Sequence, residues 1–221
     1  MNKKTKKILS LILTSVMMFS SSLTVFAKQE DNIKEEIVYV MLDENGKSNT
    51  VYVVNSYPTF TGGSLVDYGN YKSLRNLSTS DILKNENGVV TSNISKGKFY
   101  YEGTMASAEI PWDISIIYKL DGNITSAYDL ASSQGNLEIE INISENKDFS
   151  SKFYENYALQ ISTSMDTNKS NNITAPGATI SNVGENKNIS YTLLPGKNGV
   201  YKISADVTNF EMGAISINGV P

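Results

Sequence analysis

The chain of 221 residues contains no cysteine and no histidine, and it has one tryptophan and a single arginine, Arg75. Without cysteine there are no disulfides, so packing must hold the fold together even in an oxidising compartment. Without cysteine and histidine the usual ligand sets for zinc, haem, iron–sulfur clusters and copper are missing. Thiol nucleophiles and every histidine-based catalytic arrangement go with them. Beyond residue 27, clustered basic charge is also missing, and nucleic-acid or anionic-lipid surfaces require it. No metal, cofactor or catalytic residue is therefore assigned from composition.

Basic charge is concentrated at the N-terminus. Lys3, Lys4, Lys6 and Lys7 precede an apolar run over residues 8–19, three serines, and Val25-Phe26-Ala27. A basic head, an apolar middle and a small-residue site are the three parts of a secretory signal peptide. Cleavage is expected between Ala27 and Lys28, with the apolar run forming a signal-peptide helix. The alternative is an uncleaved anchor, since the run approaches the roughly 20 residues that span a bilayer. Serines interrupt it, however, and the polar stretch Lys28-Gln29-Glu30-Asp31 follows at once. Removing residues 1–27 leaves 15 basic residues against 23 acids, a net charge of −8. The acids are dispersed, which reads as a solvated surface. The 24 asparagines, beside many lysines and one arginine, suit an AT-rich Gram-positive bacterium. Secretion or display at the cell surface is the expected location.

The rest reads as strands. Residues 36–42 and 50–54 are β-branched and aromatic runs around Asn45-Gly46, a hairpin signal because Asn-Gly supplies positive φ. Residues 55–97 are punctuated by Pro58, Gly62, Gly63, Gly69 and Gly88, with Ser78 to Asp81 placed to cap one helical turn at Ile82 and Leu83. Tyr100 and Tyr101 belong to a short strand, and 113–120 to another. Ser126 and Asp129 stand at capping-box spacing, which predicts a short helix near 125–133 ended by Gly135. Leu137, Ile139, Ile141 and Ile143 alternate with polar residues, as do 157–165, 189–193 and 201–207. The expected fold is all-β: an antiparallel β-sandwich (Ig-like) of one or two lobes. The expected division is 1–27 signal peptide, 28–35 polar linker, 36–97 N-terminal β-hairpin lobe and 98–221 β-sandwich.

Many short patches together carry a resemblance. They include Val51-Tyr52-Val53-Val54-Asn55, Val66-Asp67-Tyr68-Gly69, Phe99-Tyr100-Tyr101-Glu102-Gly103 and Pro111-Trp112-Asp113-Ile114. Further along come Tyr118-Lys119-Leu120-Asp121-Gly122, Gly135-Asn136-Leu137-Glu138-Ile139, Ala175-Pro176-Gly177-Ala178 and Asp206-Val207-Thr208-Asn209-Phe210-Glu211-Met212. Across residues 36–221 the chain resembles the N-terminal exported β region of clostridial cell-envelope proteins that carry X-X-X-Leu-X-X-Gly heptad repeats. That resemblance implies an envelope location, with heptads and a C-terminal membrane segment beyond the β region. Neither is in this sequence, and the tail carries no Leu-Pro-x-Thr-Gly motif. The two expectations are the head of a longer stalked surface protein and a free domain.

Candidate chemistry is sparse. Glu138 and Glu140 share the wet face of one strand and read as solvated charge before they read as a hydrolytic pair. Asp43-Glu44-Asn45-Gly46 has its glycine too early, and Val54 where a calcium loop needs glutamate, so it reads as a turn. Gly62, Gly63 and Gly177 lack the setting of a phosphate loop. Tyr100, Tyr101 and Trp112 are the one speculative ligand platform, for sugar rings, against ordinary edge packing. The expected role is a non-enzymatic, structural or adhesive envelope module. Its partner would be an envelope protein or wall polysaccharide, and it would touch a membrane only through the leader or a missing C-terminal anchor. A carbohydrate-binding module comes second, and a carboxylate-based wall hydrolase third.

Overall fold

The computed structural model describes residues 33–221 and, before them, the backbone of a short strand, β1 (Val16–Ser21). The leader residues Ala27 and Lys28, most of the 8–19 run and most of the 28–35 linker lie outside the described residues. Where the run is described it is extended rather than helical; a short apolar run suits either state.

Strands account for 61% of residues and helix for 3%, so the all-β antiparallel expectation holds. The chain divides into two compact units. The N-terminal unit comprises residues 33–41 and Asn49–Glu109; the C-terminal unit comprises Leu42–Ser48 and Ile110–Val220. The expected boundary at 97/98 therefore moves to 109/110. The reason is β8 (Gly97–Met105), which pairs with two strands of the N-terminal unit, β3 (Ser48–Phe60) and β5 (Tyr71–Asn76).

In the N-terminal unit, β2 (Glu35–Leu42), β3, β8 and β5 lie side by side. β4 (Gly63–Tyr68), β7 (Val89–Ile94) and β6 (Lys84–Glu86) form a separate small sheet in the order β4-β7-β6. The β3–β8 register slips between Tyr57 and Phe60, where Pro58 has no N–H to give the ladder. One core unites both sheets: Val53, Tyr57, Phe60, Leu65, Tyr71, Val90, Ile94, Phe99 and Tyr101. No helical turn forms at Ile82 and Leu83. Instead the Asn76 side-chain oxygen accepts the N–H groups of Ser78 and Thr79, giving the backbone a local alternative to a helix.

In the C-terminal unit one sheet runs β10 (Asn123–Thr125), β9 (Trp112–Leu120), β11 (Gly135–Glu145), β16 (Gly199–Val207), β13 (Ser170–Thr174). The other run is β14 (Thr179–Val183), β15 (Asn186–Leu193), β12 (Ala158–Asp166), β17 (Ser216–Val220). From β11 onward the chain passes repeatedly between them, so the halves of this sandwich are interleaved in sequence. Leu137, Ile139, Ile141 and Ile143 of β11 are buried, as are Leu159, Ile161 and Met165 of β12. Each such side chain contributes about 1.5–3 kcal/mol of burial.

The helix expected near 125–133 is a chain of turns. Half of the capping box forms: the Asp129 N–H donates to Ser126 Oγ, while the Asp129 carboxylate accepts from the Ser126 hydroxyl instead of its backbone N–H. Propagation fails because Ser132 adopts φ 61° and its N–H donates to the Phe210 carbonyl, while Phe210 N–H donates to Ser133. Among the described residues the helix is α1 (Ser151–Asn156), which the strand pattern hid.

The turn after β2 belongs to the C-terminal unit. Asp43 Oδ1 accepts the N–H groups of Asn45 and Lys47, the Ile116 N–H donates to the Asn45 carbonyl, and Tyr118 donates to the Glu44 carbonyl. Gly46 has φ +91°, and an added Cβ would lie 2.9 Å from the Ile114 carbonyl oxygen. Gly46→Ala is expected to destabilise the C-terminal unit by about 1–3 kcal/mol, read as a lower thermal midpoint by Trp112 fluorescence.

Candidate functional site

The most chemically elaborate cluster lies inside the N-terminal unit. In β4 the side chains alternate, so Leu65 and Asp67 point inward while Val66 and Tyr68 face solvent. Asp67 thus enters an aromatic core at only 6% exposure. Its Oδ2 accepts hydrogen bonds from the hydroxyls of Tyr57 (2.7 Å) and Tyr101 (2.5 Å). Its Oδ1 accepts from Lys34 Nζ (2.7 Å) and from the Tyr68 N–H (2.8 Å). Lys34 Nζ also lies 2.5 Å from Glu36 Oε1. A buried charge needs this many partners, because an unpaired one costs several kcal/mol.

The electrostatics follow from the geometry. Burial pushes the Asp67 carboxyl up, but hydrogen bonds from Lys34, Tyr101 and Tyr57 outweigh it and hold the group below the ordinary carboxylate range. Burial lowers Lys34, but bonds to Asp67 and Glu36 leave it raised. Burial, then the Asp67 carboxylate, push Tyr57 and Tyr101 far above the ordinary phenol range. The resting state is an ion pair capped by two protonated phenols. Around it Phe99 stacks on Tyr101 at 6.0 Å, and Tyr71 meets Tyr101 edge-on at 6.3 Å. The Asn55 amide nitrogen donates to the Tyr71 hydroxyl (3.2 Å), and its buried Oδ1 has no hydrogen-bond partner.

The aromatic residues expected as a ligand platform do not form one. Tyr101 is fully buried and Trp112 is 2% exposed. Tyr100 is half-buried and points to the opposite face of β8 from Tyr101, as neighbours on a strand must. Trp112 belongs to the other unit. Burial of these rings removes the support for the sugar-platform reading.

Glu138 pairs with Lys119 (2.6 Å) and Glu140 with Lys202 (3.0 Å), an alternating cross-strand ladder on an outer face. Hydrogen bonds from Lys119 to Glu138, and from Lys202 to Glu140, lower both carboxyls. Carboxylates held ionised in this way are poor general acids. Among the described residues, no group of three or more Asp and Glu side chains could hold a metal ion, and no helix is long and apolar enough to cross a membrane. The Asp43 loop is a hairpin turn whose carboxylate caps its own backbone.

Sequence reasoning missed Lys34, Tyr57 and Asp67 as a group. The usable signal was phase: Asp67 stands two residues from Leu65, on the apolar face of an alternating segment.

No protein-family model matches the chain, and no curated protein matches it. Among solved structures it is similar to the Fcho1 Mu homology domain of Danio rerio with bound Eps15 peptide, at 7% identity and a TM-score of 0.43, covering 95% of this chain and 97% of that one. A likeness that faint carries no argument about this chain.

Proposed function

We propose that the chain is an exported, non-enzymatic β-sandwich module of a Gram-positive cell envelope, structural or adhesive, and the head of a longer stalked surface protein. The observation that carries this reading is the fate of the acids. Asp67 is sealed in a core by four hydrogen bonds, and Glu138 and Glu140 are neutralised by lysines on neighbouring strands. Chemistry of this kind holds a fold together rather than acting on a substrate. The basic-apolar-small leader and the absence of cysteine and histidine support the same reading.

The test is fractionation of a Gram-positive host expressing the chain with its own leader. The product is expected in medium and wall fractions, starting at Lys28, with purified protein releasing no reducing ends from isolated walls. Full-length protein retained in the cytoplasm would sink the location, and released sugar ends would sink the non-enzymatic role.

A further inference from the structure

We propose that Lys34 and Asp67 condense into an intramolecular amide that covalently joins the residue preceding β2 to β4, and so links the two sheets of the N-terminal unit. The three parts of such a reaction are already in place. The nucleophile, Lys34 Nζ, sits 2.7 Å from Asp67 Oδ1, across 33 residues of sequence. Oδ2 is held by two phenol hydroxyls at 2.7 and 2.5 Å, where negative charge develops when the carboxyl carbon is attacked. Glu36, 2.5 Å from Nζ, is placed to take the proton that the nitrogen must lose.

The step balances without an oxidant or cofactor. The Lys34 ammonium first passes a proton to Oδ1, giving a neutral amine beside a neutral acid. The amine lone pair attacks Cγ, and the oxyanion forms on Oδ2 between Tyr57 and Tyr101. Glu36 removes a proton from the new N–C centre and delivers it to Oδ1. The Cγ–Oδ1 bond breaks, water departs, and the carbonyl re-forms on Oδ2. The ion pair is the resting state, so the neutral pair is a minor tautomer and condensation is slow compared with folding. Fixed proximity drives it forward, since effective molarities of well-oriented groups reach roughly 10⁵–10⁸ M. Asp67 itself is almost fully buried, while the Lys34 and Glu36 side chains keep 24% and 38% exposure, so the departing water has a way out. A chain without cysteine thereby gains a crosslink that no reductant opens.

Intact-mass measurement of the purified full chain, referred to its determined N-terminus, tests this. The expected mass is the sequence mass less one water, with a branched Lys34–Asp67 peptide in the tandem spectrum and no tryptic cleavage after Lys34. Lys34→Arg keeps the ion pair but has no amine for the amide, and it should show the full mass. Glu36→Gln should slow the loss of water by about 10²-fold or more, 10²-fold being the low end of what a positioned base supplies. A native chain that stays at full mass through days of incubation is an ion pair only and overturns the proposal. So does equal water loss from the Lys34→Arg variant, which would place the dehydration elsewhere. An unchanged rate in Glu36→Gln overturns the assigned proton route.

Discussion

Asp67→Ala is expected to destabilise the N-terminal unit by about 3–5 kcal/mol, the range seen when one partner of a buried ionic network is removed. The substitution strands the hydroxyls of Tyr57 and Tyr101 without an acceptor and leaves the Lys34 ammonium with Glu36 as its remaining carboxylate partner. The loss stands whether Lys34 and Asp67 form an ion pair or a bond, because Oδ2 accepts from both tyrosines either way. Amide hydrogen exchange of β3, β4 and β8 measures it: protection should collapse there. Full protection in the variant would show that the phenols find other partners. Lys34→Arg separates charge from covalency. In the native ion pair the Asp67 carboxyl is held below its unfolded value of about 3.9, and an arginine that keeps the pairing is expected to hold it there. The carboxylate's contribution is then complete above that unfolded value and drains away as pH falls through the lower, folded one. Exchange rates in β4 should rise along that descent.

Gly103→Val should cost a similar amount, for a steric reason. Gly103 lies in β8 with ordinary extended backbone, so no φ strain is involved. An added Cβ would fall 2.4 Å from Tyr71 Cδ1, and the ring cannot step back, because a Cβ on Gly69 would meet its other edge at 2.2 Å. The Tyr71 ring is wedged between two glycines. Overpacking costs about 1–3 kcal/mol by itself. Expelling the ring adds the loss of a buried aromatic, which lifts the total toward about 3–5 kcal/mol. The check is a double-mutant cycle with Tyr71→Ala. If the clash is with the ring, Gly103→Val costs little once Tyr71 is gone, and the two effects are strongly non-additive. Additive costs would place the strain elsewhere.

Where one face is wet and the other dry, the fold was legible in the residues. The alternation from Leu137 to Ile143 and from Leu159 to Met165 marks strands whose inward sets are the buried ones. Asn45-Gly46 marks its turn through Gly46, which takes the positive φ that other residues avoid. Residues 55–97 were opaque because their strands are short and mixed; β6 spans three residues, all exposed. The 126–133 segment misled because half of a local cap formed, while a distant carbonyl, that of Phe210, claimed the Ser132 N–H. The aromatic trio misled because composition does not say which side of a strand a ring takes. Asp67 was overlooked for a related reason: acids are presumed wet, and pairing with groups 10, 33 and 34 residues away is what makes an inward one tolerable.

The turn after β2 sets an order of events on a chain made from its N-terminus. The Glu44 carbonyl waits for a hydroxyl on Tyr118, 74 residues later. Until then the Asn45 and Glu44 carbonyls have only water, and the tip of the first hairpin is held in the open. The first turn of the described sheets is thus secured only after the chain has passed Tyr118, and a chain stopped short of that residue leaves it permanently unfinished.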